Sequence, residues 1–223
     1  MTRTTNFITR RIVPFAFAAL LAFAARPVKA DTLLYTNGAV NGTIDSDDIS
    51  SAGVTVSDSF TISANSTLTA ATIGLWMKPG DTPSAVDWAI GTTPAGTDIA
   101  SGTSTFFNQT NLFLNSDGYD IWQSSLNIGG SVAPGAYWFS LGGATSSLGE
   151  GVNWDLTDGP SLADILEGST LNTGDYSESF QIYGATSGTI PEPSSLALLG
   201  MGVISLGILR RSTYRIGKEK IRA

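Results

Sequence analysis

The stretch LTAATIGLWM, residues 68–77, decides the fold class that we predict for this chain. Its second half alternates apolar residues with others, which places Ile73, Leu75 and Met77 on one face of an extended strand. The stretch YWFSL, residues 137–141, repeats this pattern from Tyr137 to Leu141. A strand with one apolar face is typical of an antiparallel sheet that buries that face in a core.

Further strand candidates follow, and turn-forming residues separate them. They are SFTIS (59–63), VDWAIG (86–91), STFF (104–107), YDIWQSSLNI (119–128), GAYWFSLGG (135–143), VNWDL (152–156) and SESFQIYG (177–184). Short strands at close spacing predict an all-β, antiparallel β-sandwich, jelly-roll-like, over residues 31–188. The helix candidate in this body is SLADILEG, residues 161–168, where Leu162, Ile165 and Leu166 would share one helical face.

The charges divide the chain into an acidic body and two basic ends. Residues 31–192 hold 18 of the 19 acidic residues and only one basic residue, Lys78, which gives a net charge of −17. Such a body repels nucleic acid and anionic membranes, so we expect no nucleic-acid partner. The chain has no Cys and no His, which removes thiolate nucleophiles, imidazole bases and Cys/His zinc sites.

The N-terminus has the layout of a secretory signal peptide, residues 1–30. Arg10 and Arg11 precede the apolar run IVPFAFAALLAFAA, residues 12–25, and small residues lie at positions 28 and 30. This predicts cleavage by signal peptidase between Ala30 and Asp31. TRRIVPF, residues 9–15, partly resembles a twin-arginine signal, so general secretion and twin-arginine export both stay open.

The C-terminus carries a short apolar segment followed by basic residues. Residues 194–209 are sixteen residues without a charge, and as a helix they would extend about 24 Å at roughly 1.5 Å per residue. That is somewhat less than the bilayer core of about 30 Å. Six basic residues follow the segment, at positions 210, 211, 215, 218, 220 and 222. They indicate the cytoplasmic side and predict one transmembrane helix with the acidic body outside.

Pro191-Glu192-Pro193, the apolar segment and then Arg210-Arg211 together resemble the PEP-CTERM sorting tag of Gram-negative bacteria, over residues 189–215. The resemblance implies that exosortase, a membrane-embedded cysteine protease, recognises these residues and cuts close to Pro-Glu-Pro. It implies a precursor anchored in the inner membrane and then a cell-surface or extracellular protein, with exopolysaccharide as an expected partner. The sequence leaves open whether the tail is cleaved or kept as an anchor.

The body offers candidate ligand sites and no catalytic residue. Trp88 and Trp154 each adjoin an Asp and are candidate platforms for stacking a sugar, with packing in the core as the alternative. Asp45, Asp47 and Asp48 are candidate calcium ligands, because calcium takes several oxygen ligands from a tight loop, and solvated acidic turns are the alternative. We predict no other cofactor.

These observations predict an exported, non-enzymatic protein of the cell surface, extracellular matrix or biofilm with a structural or adhesive role. A carbohydrate-binding module is the alternative from another class. A glycoside hydrolase is a further alternative, since Asp87, Glu150 and Asp155 lie beside or near tryptophans and such enzymes use paired carboxylates. A calcium-binding surface domain is another.

Overall fold

A computed structural model describes residues 31–186, and these residues form strands and connecting loops without a helix. The prediction of an all-β, antiparallel domain is therefore confirmed. This described part contains no helix that is long and apolar enough to cross a membrane. The predicted signal peptide and the predicted transmembrane helix, residues 194–209, lie outside the described residues.

The strands of this part of the chain form two sheets. In chain order they are β1 (Thr32–Thr36), β2 (Ser46–Asp48), β3 (Val54–Ile62), β4 (Ser66–Met77), β5 (Pro83–Gly91), β6 (Ala100–Thr105), β7 (Phe107–Leu114), β8 (Asp120–Asn127), β9 (Ser131–Val132), β10 (Gly135–Ser146), β11 (Val152–Thr157), β12 (Ala163–Glu167), β13 (Thr170–Asp175), β14 (Ser177–Glu178) and β15 (Phe180–Thr186). A six-stranded sheet has the order β13-β12-β3-β10-β5-β6. In the nine-stranded sheet, the long strand β4 pairs with β8, β9, β11 and β15.

The core lies between the two sheets. Ile73, Leu75 and Met77 are fully buried on the inner face of β4, as the alternation predicts. The alternating residues of β10 are buried as well, and Phe139 meets Trp154 of the other sheet with ring centroids 5.5 Å apart. The two apolar faces identified in the sequence therefore pack against each other.

The predicted helix over residues 161–168 is wrong, because part of this stretch forms β12. Ile165 pairs with Val56 of β3, and Leu166 pairs with Leu171 of β13. Gly168, at a φ of +61°, lies in the turn that reverses the chain into β13. Eight residues match a helical and an extended pattern about equally well, and pairing with β3 decides between them.

The loop between β1 and β2, residues 37–45, lies on the outer face of the nine-stranded sheet and is named here the 37–45 segment. A side chain at Gly74 of β4 would meet Val40 of this segment on the face opposite the core. One at Gly42 would meet Ile121 of β8 on the same face. The segment therefore forms a wall across the outside of β4 and β8.

Candidate functional site

A partly open space of about 130 Å³, named here the outer-face cavity, lies beside the 37–45 segment. Its lining includes Val40 from the segment, Thr72 of β4, Leu112 of β7, Gln123 of β8 and Gln181 of β15. No charged residue lines it. The cavity therefore offers amide and hydroxyl groups between aliphatic walls.

Asp155 holds the wall of the outer-face cavity in place. Its carboxylate is fully buried and accepts hydrogen bonds from the backbone N–H of Asn41 (3.0 Å) and Gly42 (2.9 Å) and from Nε1–H of Trp76 (2.6 Å). Burial raises the pKa of Asp155, and these hydrogen bonds act against that rise. A buried carboxylate whose lone pairs are taken by three donors acts as an anchor for the segment.

Gly42 allows the 37–45 segment to lie this close to β8. Its φ is +63°, and an added Cβ would lie 2.6 Å from Cγ1 of Ile121. Gly53, in the turn before β3, has a φ of +80° but no atom within 4 Å of an added Cβ. The two positions share the left-handed backbone and differ in the space around them.

We expect Gly53→Ala to lower the free energy of unfolding by about 1 kcal/mol, from backbone strain alone. Gly42→Ala should lower it by about 2 kcal/mol, because the contact with Ile121 adds to that strain. Urea unfolding of both variants measures the difference. Equal losses would contradict the close approach of the segment to β8.

Two glutamines provide the amide groups of the cavity. The hydroxyl of Tyr183 donates to Oε1 of Gln181 at 2.6 Å, so the amide oxygen is occupied and the NH₂ group of Gln181 remains as a donor. Gln123 is exposed, and its side-chain amide makes no hydrogen bond within residues 31–186. Thr72 shares a hydrogen bond with Ser125 at 3.0 Å. The two amide groups are thus donors that a ligand can reach in a lining that also includes Ser179.

The two tryptophans that the sequence singles out, Trp88 and Trp154, lie in different surroundings in the structure. Trp154 is fully buried, and its Nε1–H donates to the carbonyl of Ser179 at 3.0 Å. The prediction of Trp154 as a sugar platform is therefore wrong, because a buried indole offers no face to a ligand. Trp88 is half-buried in the other sheet, opposite Gly102 of β6, and packs against the core. A ligand role for Trp88 stays a prediction.

The three candidate calcium ligands have different surroundings, and Asp47 lies in β2 opposite Trp154 of β11. Asp48 accepts hydrogen bonds from Ser50 and Ser51, and these lower its pKa although burial raises it. Asp45 is exposed and accepts from the N–H of Ser46 at 2.9 Å. No group of three His, Cys, Asp or Glu side chains able to hold a metal occurs within residues 31–186. Calcium binding stays a prediction, and titration of the protein with calcium would test it.

A buried polar network lies at the end of the sandwich and is not apparent from the sequence. The side-chain NH₂ of Asn37 donates to Oδ2 of Asp58 (2.8 Å), to Oγ of Ser177 (2.7 Å) and to the carbonyl of Glu178 (2.9 Å). The N–H of Glu178 also donates to Asp58, at 2.7 Å. The network therefore joins the 37–45 segment, β3 and β14. Its signal in the sequence is Glu178, an acidic residue inside the predicted strand SESFQIYG.

Glu178 itself is fully buried in an acidic surrounding. Burial raises the pKa of Glu178 well above its ordinary 4.5, and the nearby carboxylates of Asp47, Asp58 and Asp155 raise it further. Lys78, the one basic residue in residues 31–186, lies instead against Tyr119, with Nζ 3.0 Å from the hydroxyl. The site therefore favours the protonated form of Glu178.

Residues 189–211 match the family model of the PEP-CTERM protein-sorting motif, about a tenth of the chain. This confirms the resemblance seen in the sequence, and Pro191, Glu192, Pro193, Arg210 and Arg211 all fall within the match, outside the described residues. No curated protein matches the chain. The motif supports an exported protein that is sorted and processed by exosortase.

Proposed function

We propose that this protein is a non-enzymatic component of the cell surface or extracellular matrix, with a structural or adhesive role. Its precursor is anchored in the inner membrane through residues 194–209, and cleavage near Pro193 then releases the body. The sorting motif after an acidic β-sandwich is the observation that carries this proposal. A folded domain ahead of such a motif is the part of the chain that remains after processing.

The use of the carboxylates supports a non-enzymatic role. Asp155 anchors the 37–45 segment, and Asp58 accepts from Asn37, Ser59 and Glu178. These groups are buried and engaged in holding the fold, whereas a glycosidase needs two carboxyl groups that flank a bound substrate. The outer-face cavity has no titratable residue in its lining. Release of reducing ends from a polysaccharide by the purified protein would contradict this part of the proposal.

Substitutions within and beyond the matched motif test the sorting step. Arg210→Ala with Arg211→Ala removes the basic pair inside the match, and Lys218→Ala with Lys220→Ala removes an equal charge beyond it. We expect the first pair to leave the protein in the membrane fraction of its host, because the sorting enzyme no longer recognises the tag. The second pair should be sorted as the wild type is. Immunoblots of the membrane, surface and medium fractions show where each variant is found. If the variant with both arginines replaced were sorted as the wild type is, the proposal would be contradicted.

A further inference from the structure

The outer-face cavity has the chemistry of a sugar site. We propose that it binds one unit of a neutral polysaccharide, with the amide groups of Gln123 and Gln181 hydrogen-bonded to the sugar hydroxyls. This inference gives the proposed adhesive role a ligand. It rests on the proposed function, because a polysaccharide is a partner only for a protein at the cell surface. The outer-face cavity is a different site from Trp88, whose predicted ligand role is still a prediction.

The donors and acceptors of the cavity match those of a sugar. The NH₂ group of Gln181 is a donor with a fixed position, because Tyr183 holds the amide oxygen at 2.6 Å. Gln123 brings both a donor and an acceptor. Sugar hydroxyls act as both donor and acceptor, so they can satisfy either glutamine. Val40 and Leu112 face the same space and can contact the C–H groups of the ring.

The charges select a neutral ligand. Residues 31–186 carry 17 acidic residues and one basic residue, so the protein repels a polyanion such as an acidic polysaccharide. No charged residue lines the cavity, so no cation is present there to bind a carboxylate or sulfate group. Hydroxyl groups bind without such a partner.

The cavity is built on elements that hold it open. Thr72, Gln123 and Gln181 project from the paired strands β4, β8 and β15, and Gly74 of β4 lies opposite Gln123. Because Gly74 has no side chain, Val40 and Asp155 pack directly over β4 at this point, which brings the 37–45 segment close to the sheet. Asp155 fixes the 37–45 segment that forms the wall. A site that is formed before binding loses little freedom when the ligand arrives.

Native gels that contain a polysaccharide test the inference on the protein as purified from its host. We expect slower migration in gels with dextran, galactomannan or mixed-linkage β-glucan, and unchanged migration with alginate as the polyanion. Gln123→Ala with Gln181→Ala should weaken the binding about tenfold or more, since two hydrogen bonds are lost. Asn172→Ala, an exposed amide on β13 of the other sheet, is the matched control and should bind as the wild type does.

Three results would overturn the inference. They are unchanged migration in all three neutral gels, unchanged binding by the double glutamine variant, and loss of binding in Trp88→Ala alone. Circular dichroism of each variant shows whether it is folded. None of these results bears on the processing of the tail, which fractionation measures separately. The gels therefore test the sugar site and the fractionation tests the surface role, so the failure of one can be told from the failure of the other.

Discussion

Glu178→Gln is expected to raise the free energy of unfolding at pH 8 and to flatten its dependence on pH. Glu178 is fully buried, and burial together with Asp47, Asp58 and Asp155 raises its pKa well above 4.5. In the unfolded chain the same group ionises near its ordinary value. The folded state therefore keeps a proton that the unfolded state loses.

The sign of the effect follows from this difference in bound protons. Where the folded state binds one more proton than the unfolded state, the free energy of unfolding falls by about 1.4 kcal/mol for each pH unit. The contribution of Glu178 is fully present below pH 4.5 and is lost as the pH rises through the raised pKa. Asp58 and Asp155, whose pKa values burial also raises, add to the same loss. The amide that Glu178→Gln introduces carries no charge at any pH.

Denaturant unfolding between pH 4.5 and 8 measures this prediction. Wild type and Glu178→Gln should be close in stability at the acidic end, and the variant should be clearly more stable at pH 8. Glu150→Gln, in an exposed loop, is the matched control and should keep the wild-type slope. Parallel curves for wild type and Glu178→Gln would contradict the protonated state of the buried carboxyl.

A second carboxyl group, that of Asp81, limits the free energy of unfolding at acidic pH. Although burial raises the pKa of Asp81, the hydroxyls of Ser146 and Ser147 and the N–H groups of Leu148 and Thr82 lower it to about 2. Its contribution is present above the ordinary pKa of 3.8 and is lost as the pH falls towards 2. Together with Glu178, this predicts a stability maximum at mildly acidic pH. A maximum above pH 7 would contradict it.

Asp155→Ala is expected to lower the free energy of unfolding by about 3–5 kcal/mol, because it leaves buried donors without their charged acceptor. The three donors are the N–H groups of Asn41 and Gly42 and Nε1–H of Trp76. Asp117→Ala, at an exposed turn, removes the same group and should change stability by no more than about 0.5 kcal/mol. Urea unfolding compares the two variants.

Hydrogen exchange shows whether Asp155 acts as the anchor of the 37–45 segment. In Asp155→Ala, the amides of Asn41 and Gly42 should exchange fast while the amides of β10 stay protected. Equal acceleration in both places would mean a general loss of stability and would contradict the anchor. A stability loss as small as that of Asp117→Ala would contradict it as well.

The sequence predicts the core strands because their signal is local. Alternation over residues 73–77 and 137–141 depends only on which faces are apolar, and those faces are buried as expected. Strand β7 is missed because its sequence FNQTNLFL is mostly polar or exposed and lies at the edge of the nine-stranded sheet. Residues 163–167 become a strand only through pairing with β3 and β13, which a local pattern does not contain.

The candidate sites are harder to predict because they depend on distant contacts. Asp155 follows Trp154 in the sequence, which suggested a ligand site, but the strand directs the carboxylate to the 37–45 segment and the indole into the core. Gln123 and Gln181 are 58 positions apart and line the same cavity only because β8 and β15 both pair with β4. The sorting motif is the opposite case, since its residues are contiguous and its recognition needs no fold.

The intact mass of the protein from its native host, with membrane, surface and medium analysed separately, tests the central claim most directly. An exported surface protein processed at both ends should be found outside the membrane with a mass that begins at Asp31 and ends near Pro193. A protein found only in the membrane, with a mass that retains residues 196–223, would contradict the claim that the tail is removed during sorting.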